Sequence, residues 1–207
     1  MPSDSTAYDP SAYPPSQTAL MFLDYQNILV NMVPSPTKET LTTAAETLLS
    51  AARKHNVAIL HCLSDTSLDP PPTNKALATW DAQFKPIFST NSGLGAEYAA
   101  FAPTSDGAAS HETVHTRLPG LRSVLQDDVV LYLRGRGINH LVLAGIATSG
   151  AIMGTMSHGT DINFVVTVVA DACWDPTAQV HTDLINTVIP SLAYVSSAEQ
   201  AVAYFSG

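Results

Sequence analysis

The stretch that most constrains the fold of this chain is residues 141–156. Its first four residues are apolar enough for a buried strand, Gly145 allows a tight turn, and a helix is predicted to begin near Thr148 or Ser149. The free N–H groups and positive dipole end of such a helix suit a nucleophile or an anion. The first helical turn, around Ala151, holds no cysteine and no histidine, so the expected nucleophile is missing.

The rest of the chain alternates apolar, strand-like runs with segments of helical periodicity. Thr37 is a plausible N-cap for the first long helix. Alternation of this kind predicts an α/β fold with a parallel sheet, right-handed crossovers and its chemistry at the carboxyl ends of the strands. Strands are expected at 18–25, 57–62, 113–116, 140–144, 163–170 and 192–195, and helices at 37–54, before 135–137, at 148–158, at 178–188 and from 197.

Residues 64–112 form a long excursion rich in Pro, Asn, Ser, Gly and Ala. We expect little regular structure there beyond a short helix around Trp80 to Phe84. Long loops in compact domains are usually functional or disordered, and the aromatic anchors Trp80, Phe84, Phe88 and Phe101 favour a lid or an oligomer contact.

Composition limits the class of protein. The 207 residues suit one domain over 17–207, preceded by a flexible or surface-hugging arm over 1–16. Apolar residues make up 45% and charged residues 13%, which indicates extensive burial, and a net charge of −9 disfavours nucleic acid and anionic membranes as partners. No membrane-length apolar run and no secretory signal is found. We therefore expect a cytoplasmic protein, with unconventional secretion left open.

Two polar side chains follow predicted strands. Asp24 ends the first strand, where an apolar setting lets a carboxylate exchange protons; pairing with a buried arginine or capping a loop is the alternative. Arg117 follows the third strand and suits a substrate carboxylate or an oxyanion, although its position is also typical of a surface arginine.

The predicted helix start has two interpretations. The N–H groups of Thr148, Ser149 and Gly150 can hold an oxyanion. Ser149 is also a candidate nucleophile, but the Gly-x-Ser-x-Gly pattern typical of serine nucleophiles is absent, because position 147 is Ala. N-capping by Thr148 or Ser149 is the simpler role.

The remaining candidates favour structural roles. Cys62 and Cys173 follow strand-like runs and are expected to be buried free thiols. The seven histidines match no metal-binding spacing, so we expect no protein-bound metal. His181 is interpreted as structural or solvated, and Asp171 as a group that ties down loop N–H groups.

Three segments together resemble the isochorismatase-like hydrolase superfamily: 19–27 (ALMFLDYQN), 140–152 (HLVLAGIATSGAI) and 165–172 (VVTVVADA). The resemblance runs from about residue 17 to residue 195 and is weak within 64–112. It implies a three-layer α/β/α sandwich with a six-stranded parallel sheet, assembled as a homodimer or homotetramer.

Amidases of this superfamily, such as nicotinamidase, use an Asp, a Lys and a Cys, with a non-proline cis peptide before the Cys turn. By resemblance Asp24 is the Asp, the cis bond joins Ile146 to Ala147, and Ala151 stands at the Cys position. The amidase zinc ligands have no counterpart, so neither a metal nor a cofactor is expected.

The lysine position holds no lysine; Arg117 is the best candidate, and Arg122 is the alternative. Isochorismatases also lack the cysteine: their Asp protonates a vinyl carbon, water captures the oxocarbenium ion, and pyruvate leaves. This chain departs from their Gly-Val-Tyr-Ala-His turn, which leaves the substrate open. The residues expected to contact a small-molecule substrate are Gln26, Trp80, Ile146, Ala147, Thr148, Ser149 and Gly150.

We therefore weigh three functions. The leading one is a cysteine-independent hydrolase of a small carboxylated molecule, isochorismate being the best single candidate, with Asp24 as general acid and Arg117 orienting a carboxylate. The second is an amidase whose cysteine has been replaced by Ala151. The third is a non-catalytic family member that binds a ligand or partner through residues 64–112.

Overall fold

The computed structural model describes residues 8–103 and 111–206. Its strands are β1 (Thr18–Leu23), β2 (Ala58–Ser64), β3 (Glu112–Arg117), β4 (His140–Ile146), β5 (Val165–Trp174) and β6 (Tyr194–Ser196). Its α-helices are α1 (Asn27–Met32), α2 (Thr37–Lys54), α3 (Leu77–Thr79), α4 (Lys85–Thr90), α5 (Asp127–Gly135), α6 (Met153–Asp161), α7 (Ala178–Asp183), α8 (Ala198–Ala201) and α9 (Ala203–Ser206).

Shorter helical turns complete the described chain. Turns of 3₁₀ type lie at Pro10–Ala12, Pro15–Gln17, Ser92–Gly95 and Ile189–Ser191, and π-helical turns at Trp80–Phe84, Thr148–Ile152 and Leu184–Val188. Among the residues described here, no helix is both long enough and apolar enough to span a membrane.

The six strands form one parallel sheet in the order β3-β2-β1-β4-β5-β6. The predicted α/β class with a six-stranded parallel sheet is confirmed. Residues of β1 alternate between two cores, because successive side chains of a strand point to opposite faces. Met21 and Leu23 join the core beneath α5 and α6, whereas Leu20 and Phe22 join the core beneath α2 and α8. Burial of both faces explains why β1 reads as one unbroken apolar run.

The prediction that Thr37 caps α2 is wrong. Pro36 occupies the N-cap position and makes no side-chain cap, and Thr37 is the first helical residue. Backbone carbonyls accept two of the N–H groups at this end instead: those of Lys38 and Thr40 donate to the carbonyls of Pro34 and Pro36.

The 64–112 segment is more regular than predicted. Helical structure runs without a break from Leu77 through α3, the Trp80–Phe84 turn and α4 to Thr90. Trp80, Phe84 and Phe88 stack on one another along it, with ring centroids 5.5–6.4 Å apart. This aromatic packing stabilises a helix that the composition of the segment does not indicate. Residues 104–110 of the segment lie outside the described residues.

The sequence suggested that Asp171 lies at the carboxyl edge of the sheet, but the structure places it within a strand. Strand β5 continues through it to Trp174, and its carboxylate accepts a hydrogen bond from the Ala198 N–H (2.8 Å) at the start of α8. Its expected role of holding backbone N–H groups is kept, at a helix N-terminus instead of a loop.

Candidate active site

Asp24 follows β1 immediately and adopts a left-handed backbone conformation, with φ of 53°. Its N–H donates to the Cys62 carbonyl (2.9 Å), which extends the β1–β2 pairing by one residue. Its Oδ1 accepts a hydrogen bond from the Ser64 N–H (3.0 Å). Only 6% of the residue is exposed, so this carboxylate sits inside the carboxyl edge of the sheet.

Arg117, the last residue of β3, forms a two-pronged ion pair with Asp24. Its Nη1 lies 2.9 Å from Oδ1 and its Nη2 lies 2.6 Å from Oδ2, while Nε donates to the Leu121 carbonyl (2.8 Å). Burial by itself would lower the pKa of Arg117, but the charge and hydrogen bonds of Asp24 outweigh it and raise that pKa. Arg117 is buried, so the alternative of a surface arginine is wrong, and the alternative of an Asp24–arginine pair is realised.

Arg122 occupies a different place. Its side chain is exposed, and its Nη1 donates to the Ser149 carbonyl (3.1 Å) beside the β4–α6 turn. Of the two arginines considered for the lysine position, Arg117 is therefore the one that contacts Asp24.

The β4–α6 turn is where the family resemblance places the cysteine of the amidases. The peptide bond between Ile146 and Ala147 is cis, as the resemblance implied. Ala147 precedes the helical turn Thr148–Ile152, and Ala151 lies buried within it. Gly145, in the strand before the turn, has φ of 150° and pairs with Leu23 of β1, so the turn and Asp24 follow neighbouring strand ends.

Protein groups already occupy much of the hydrogen-bonding capacity of this turn. The Ser149 N–H donates to Asp175 Oδ2 and the Gly150 N–H donates to the Ala147 carbonyl, and the donor–acceptor distance is 2.9 Å in both bonds. Two of the three N–H groups considered for an oxyanion are therefore engaged. N-capping by the Thr148 or Ser149 side chain is also wrong, because Ala147 is the cap and makes no side-chain bond.

Asp175 and His181 are the supporting residues of the turn. The buried Asp175 also accepts from the Thr177 N–H (3.1 Å), and His181 Nδ1 lies 2.8 Å from Thr148 Oγ1. Burial lowers the pKa of His181, against the opposing charge of Asp175. Sequence reasoning missed Asp175; the signal was an acid directly after the strand, before Pro176 and a predicted helix.

A cavity of about 190 Å³ opens at Ser64, the last residue of β2. Gln26 and Trp80, both predicted to contact substrate, line this cavity. The candidate catalytic positions Asp24, Arg117 and Ala151 do not line it. The predicted contacts Ile146, Ala147, Thr148, Ser149 and Gly150 are likewise outside its lining. Ser64, which donates to Asp24, connects the two regions. The other lining residues are Ile28, Leu29, Thr66, Pro70, Ala76, Thr79, Phe84, Phe88, Pro119 and Gly120.

The two cysteines are free and buried, as predicted. Burial raises the pKa of Cys62, and it raises the pKa of Cys173 to about 12. Cys173 pairs in register with Gly145 near the turn, but a thiol with that pKa is not ionised at neutral pH. Neither cysteine has the properties of an activated nucleophile.

The described residues contain no group of three His, Cys, Asp or Glu side chains placed to hold a metal ion. The expectation of no metal and no cofactor stays a prediction.

The isochorismatase domain model matches residues 18–200, so the chain belongs to the isochorismatase family of hydrolases. A curated relative, the uncharacterized isochorismatase family protein YecD of Escherichia coli O157:H7, is 36% identical over 73 residues. That match covers 35% of this chain and 39% of the relative.

Solved structures share the fold at low sequence identity. An isochorismatase family protein from Burkholderia thailandensis has a TM-score of 0.71 at 21% identity, covering 93% of this chain and 97% of its own. A cysteine hydrolase from Pseudomonas syringae pv. phaseolicola has a TM-score of 0.73 at 16% identity, covering 93% of this chain and 94% of its own. N-carbamoylsarcosine amidase from Thermoplasma acidophilum has a TM-score of 0.68 at 16% identity, covering 88% of this chain and 97% of its own.

Proposed function

We propose that this protein hydrolyses a small carboxylated molecule without a covalent acyl-enzyme intermediate, and that isochorismate is the first substrate to test. One observation carries the proposal: Asp24 keeps a paired cation, Arg117, at the carboxyl edge of the sheet. The family resemblance adds to it that Ala151, and not a cysteine, stands at the nucleophile position.

The turn argues against amide hydrolysis through a thioester. Ala151 has no group that attacks a carbonyl, and a tetrahedral oxyanion needs N–H donors that are free to bind it. The Ser149 N–H already donates to Asp175, whose negative charge would repel an oxyanion at that place. Vinyl-ether hydrolysis requires neither a nucleophilic side chain nor an oxyanion hole.

Asp24 is the proposed general acid. Its Oδ1 accepts two hydrogen bonds, from Arg117 and Ser64, whereas Oδ2 accepts one, from Arg117. A carboxylate oxygen has two lone-pair sites, so Oδ2 is the atom on which a proton can be carried. Transfer of that proton to the vinyl carbon leaves an oxocarbenium ion. Water adds to the cationic carbon and returns a proton to Asp24, and the resulting hemiketal breaks its C–O bond to the ring, which gives pyruvate and a dihydroxy-cyclohexadiene carboxylate.

Arg117 is proposed to orient both Asp24 and a substrate carboxylate. Guanidinium has five N–H donors, and Asp24 and Leu121 use three of them. The exposed Arg122 offers a second cation beside the turn. The neighbouring cavity is large enough for a six-membered ring, because an engineered cavity of about 150 Å³ binds benzene.

Pyruvate release from isochorismate by the purified protein tests this function. Wild type is expected to turn over, and Asp24→Asn is expected to lose about 10²- to 10⁴-fold in kcat, the range typical of a general acid. Asp161→Asn, at an exposed carboxylate that ends α6, is the matched control and is expected to match wild type. Equal rates for wild type and a folded Asp24→Asn protein would overturn the mechanism.

An amidase with a replaced cysteine is the second candidate, and the position of Ala151 favours it. This residue lies in the first helical turn after β4, where the superfamily resemblance places the cysteine. Ala151→Cys is expected to create amidase activity toward nicotinamide or N-carbamoylsarcosine if this reading is correct. A variant with no amidase activity and no readily alkylated thiol would dismiss the amidase alternative. The buried Cys62 and Cys173 are expected to react slowly and give the baseline for alkylation in wild type.

A non-catalytic binding role is the remaining alternative, because Asp24 and Arg117 satisfy each other without a ligand. A ligand that binds the folded state raises the melting temperature by mass action. Stabilisation by isochorismate without pyruvate release would favour binding over hydrolysis.

A further inference from the structure

His61, in the middle of β2, lies between two buried carboxylates. Its Nδ1 is 2.8 Å from Glu97 Oε1 and its Nε2 is 2.8 Å from Glu112 Oε1. The His61 side chain is fully buried, and those of Glu97 and Glu112 are 6% and 2% exposed. An ionised carboxylate only accepts hydrogen bonds, so both contacts are hydrogen bonds only when the imidazole carries two protons.

The charges around His61 balance only in that form. Glu112 also pairs with Arg53 of α2, whose Nη2 lies 2.6 Å from Oε1. Among the described residues, Glu97 has His61 as its one cationic partner. The ring of Phe22 packs edge-on against His61 from β1, at 6.0 Å between centroids, and adds no charge. The groups that set the charge of His61 are therefore Glu97, Glu112 and Arg53.

Glu97 belongs to residues 93–98, which we name the pocket strap because they hydrogen-bond to residues 25–27, the residues that follow Asp24. Gln26 and Glu97 form an antiparallel bridge, and Gln26 lines the cavity. Two backbone hydrogen bonds make this bridge, Asn27 N–H to the Ala96 carbonyl (2.8 Å) and Tyr98 N–H to the Tyr25 carbonyl (2.7 Å). Two side-chain hydrogen bonds fasten the strap further, Gln26 Nε2 to the Gly95 carbonyl (2.6 Å) and Asn27 Nδ2 to the Gly93 carbonyl (3.0 Å).

We propose that the His61 imidazolium is a positioning group that holds the pocket strap through Glu97 and releases it when His61 loses its proton. His61 contacts neither Asp24 nor Arg117, so it acts on the cavity through Glu97 and Gln26. An effect of this release on a bound substrate rests on the proposed function, whereas the release of the pocket strap itself does not.

The direction of the effect follows from the donor count. Neutral imidazole has one N–H, so deprotonation leaves one carboxylate facing a nitrogen lone pair. Glu112 keeps its bonds to Arg53, whereas Glu97 loses its cation inside the protein, and a buried unpaired charge is costly. The strap is therefore held at lower pH and released as the pH rises.

Hydrogen exchange measures the strap without any substrate. The N–H groups of Asn27 and Tyr98 close the strap, so their protection factors, corrected for intrinsic exchange, report its opening. As the pH is raised, the wild-type factors are expected to fall, by up to about tenfold per pH unit for release of one proton.

Two variants separate this device from a merely structural contact. Glu97→Gln removes the anion that requires the imidazolium, and His61→Gln removes the titrating group; both are expected to abolish the pH dependence at Asn27 and Tyr98. His55→Gln, at the half-buried residue that follows α2, is the control and is expected to keep the pH dependence. Wild-type protection that is flat with pH, or that is lost toward acid, would overturn the proposal. Because no turnover is measured, failure here is distinct from failure to hydrolyse isochorismate.

Discussion

At the scale of single residues, we expect the buried Asp24–Arg117 pair to have a large effect on stability. Removing one partner of a buried ion pair leaves the other charge uncompensated. We expect Asp24→Asn to lower the free energy of unfolding by about 3 to 5 kcal/mol, measured by urea denaturation. The double variant Asp24→Asn/Arg117→Met is expected to regain most of that loss, because it buries no unpaired charge. A single variant as stable as wild type would show that the pair contributes nothing net.

His140, in β4, makes acid sensitivity a second prediction at this scale. Its ring is buried between Thr18 and Thr167, with Nε2 2.9 Å from Thr167 Oγ1, and burial lowers the pKa of His140 from 6.5 to about 4. The unfolded chain therefore takes up this proton first as the pH falls. The contribution of neutral His140 is complete above about pH 6.5 and is lost progressively toward pH 4, by roughly 3 kcal/mol.

Denaturation of wild type and His140→Gln at several pH values tests this expectation. The variant is expected to lose less stability between neutral pH and pH 4, whereas His55→Gln is expected to follow wild type. Equal acid sensitivity of wild type and His140→Gln would contradict it.

At the scale of elements, the approach of β4 to β1 depends on Gly145. Its φ of 150° disfavours L side chains, and a Cβ there would overlap the Leu23 carbonyl group. We expect Gly145→Ala to cost about 3 kcal/mol or more in thermal or urea denaturation, since backbone in both strands must move. Gly135→Ala is the matched control, because nothing lies within 4 Å of the added carbon at the end of α5. It is expected to be neutral or stabilising by up to about 1 kcal/mol.

At the scale of the whole molecule, we propose the homodimer or homotetramer that the family resemblance implies. Within the described part of the chain, strand β3 is a sheet edge that pairs only with β2, and Val114 on it is 53% exposed. Light scattering after size exclusion is expected to give two or four times the 21.9 kDa of one chain. A mass of one chain across micromolar concentrations would dismiss the proposal.

Much of the fold was predictable because its signals are local. The apolar run of β1 and the strand–turn–helix pattern around Gly145 reflect periodicity and backbone freedom within a few residues. The helix from Leu77 to Thr90 was underestimated because its stabilising contacts are aromatic side chains in a segment whose composition is typical of loops. The extent of β5 was missed for a related reason: pairing of Cys173 and Trp174 with β4 carries it past Ala170.

The sequence by itself determined the class of fold, the position of Asp24 at a strand end and the absence of a nucleophile at Ala151. Only the tertiary structure decided which groups meet. Asp24 and Arg117 are 93 residues apart, and their contact depends on the parallel register of β1, β2 and β3. The engagement of the turn by Asp175 and the placing of His61 between Glu97 and Glu112 have the same origin. Hydrophobic periodicity specifies which face of an element is buried, whereas partners across the sheet are fixed by packing among all its elements.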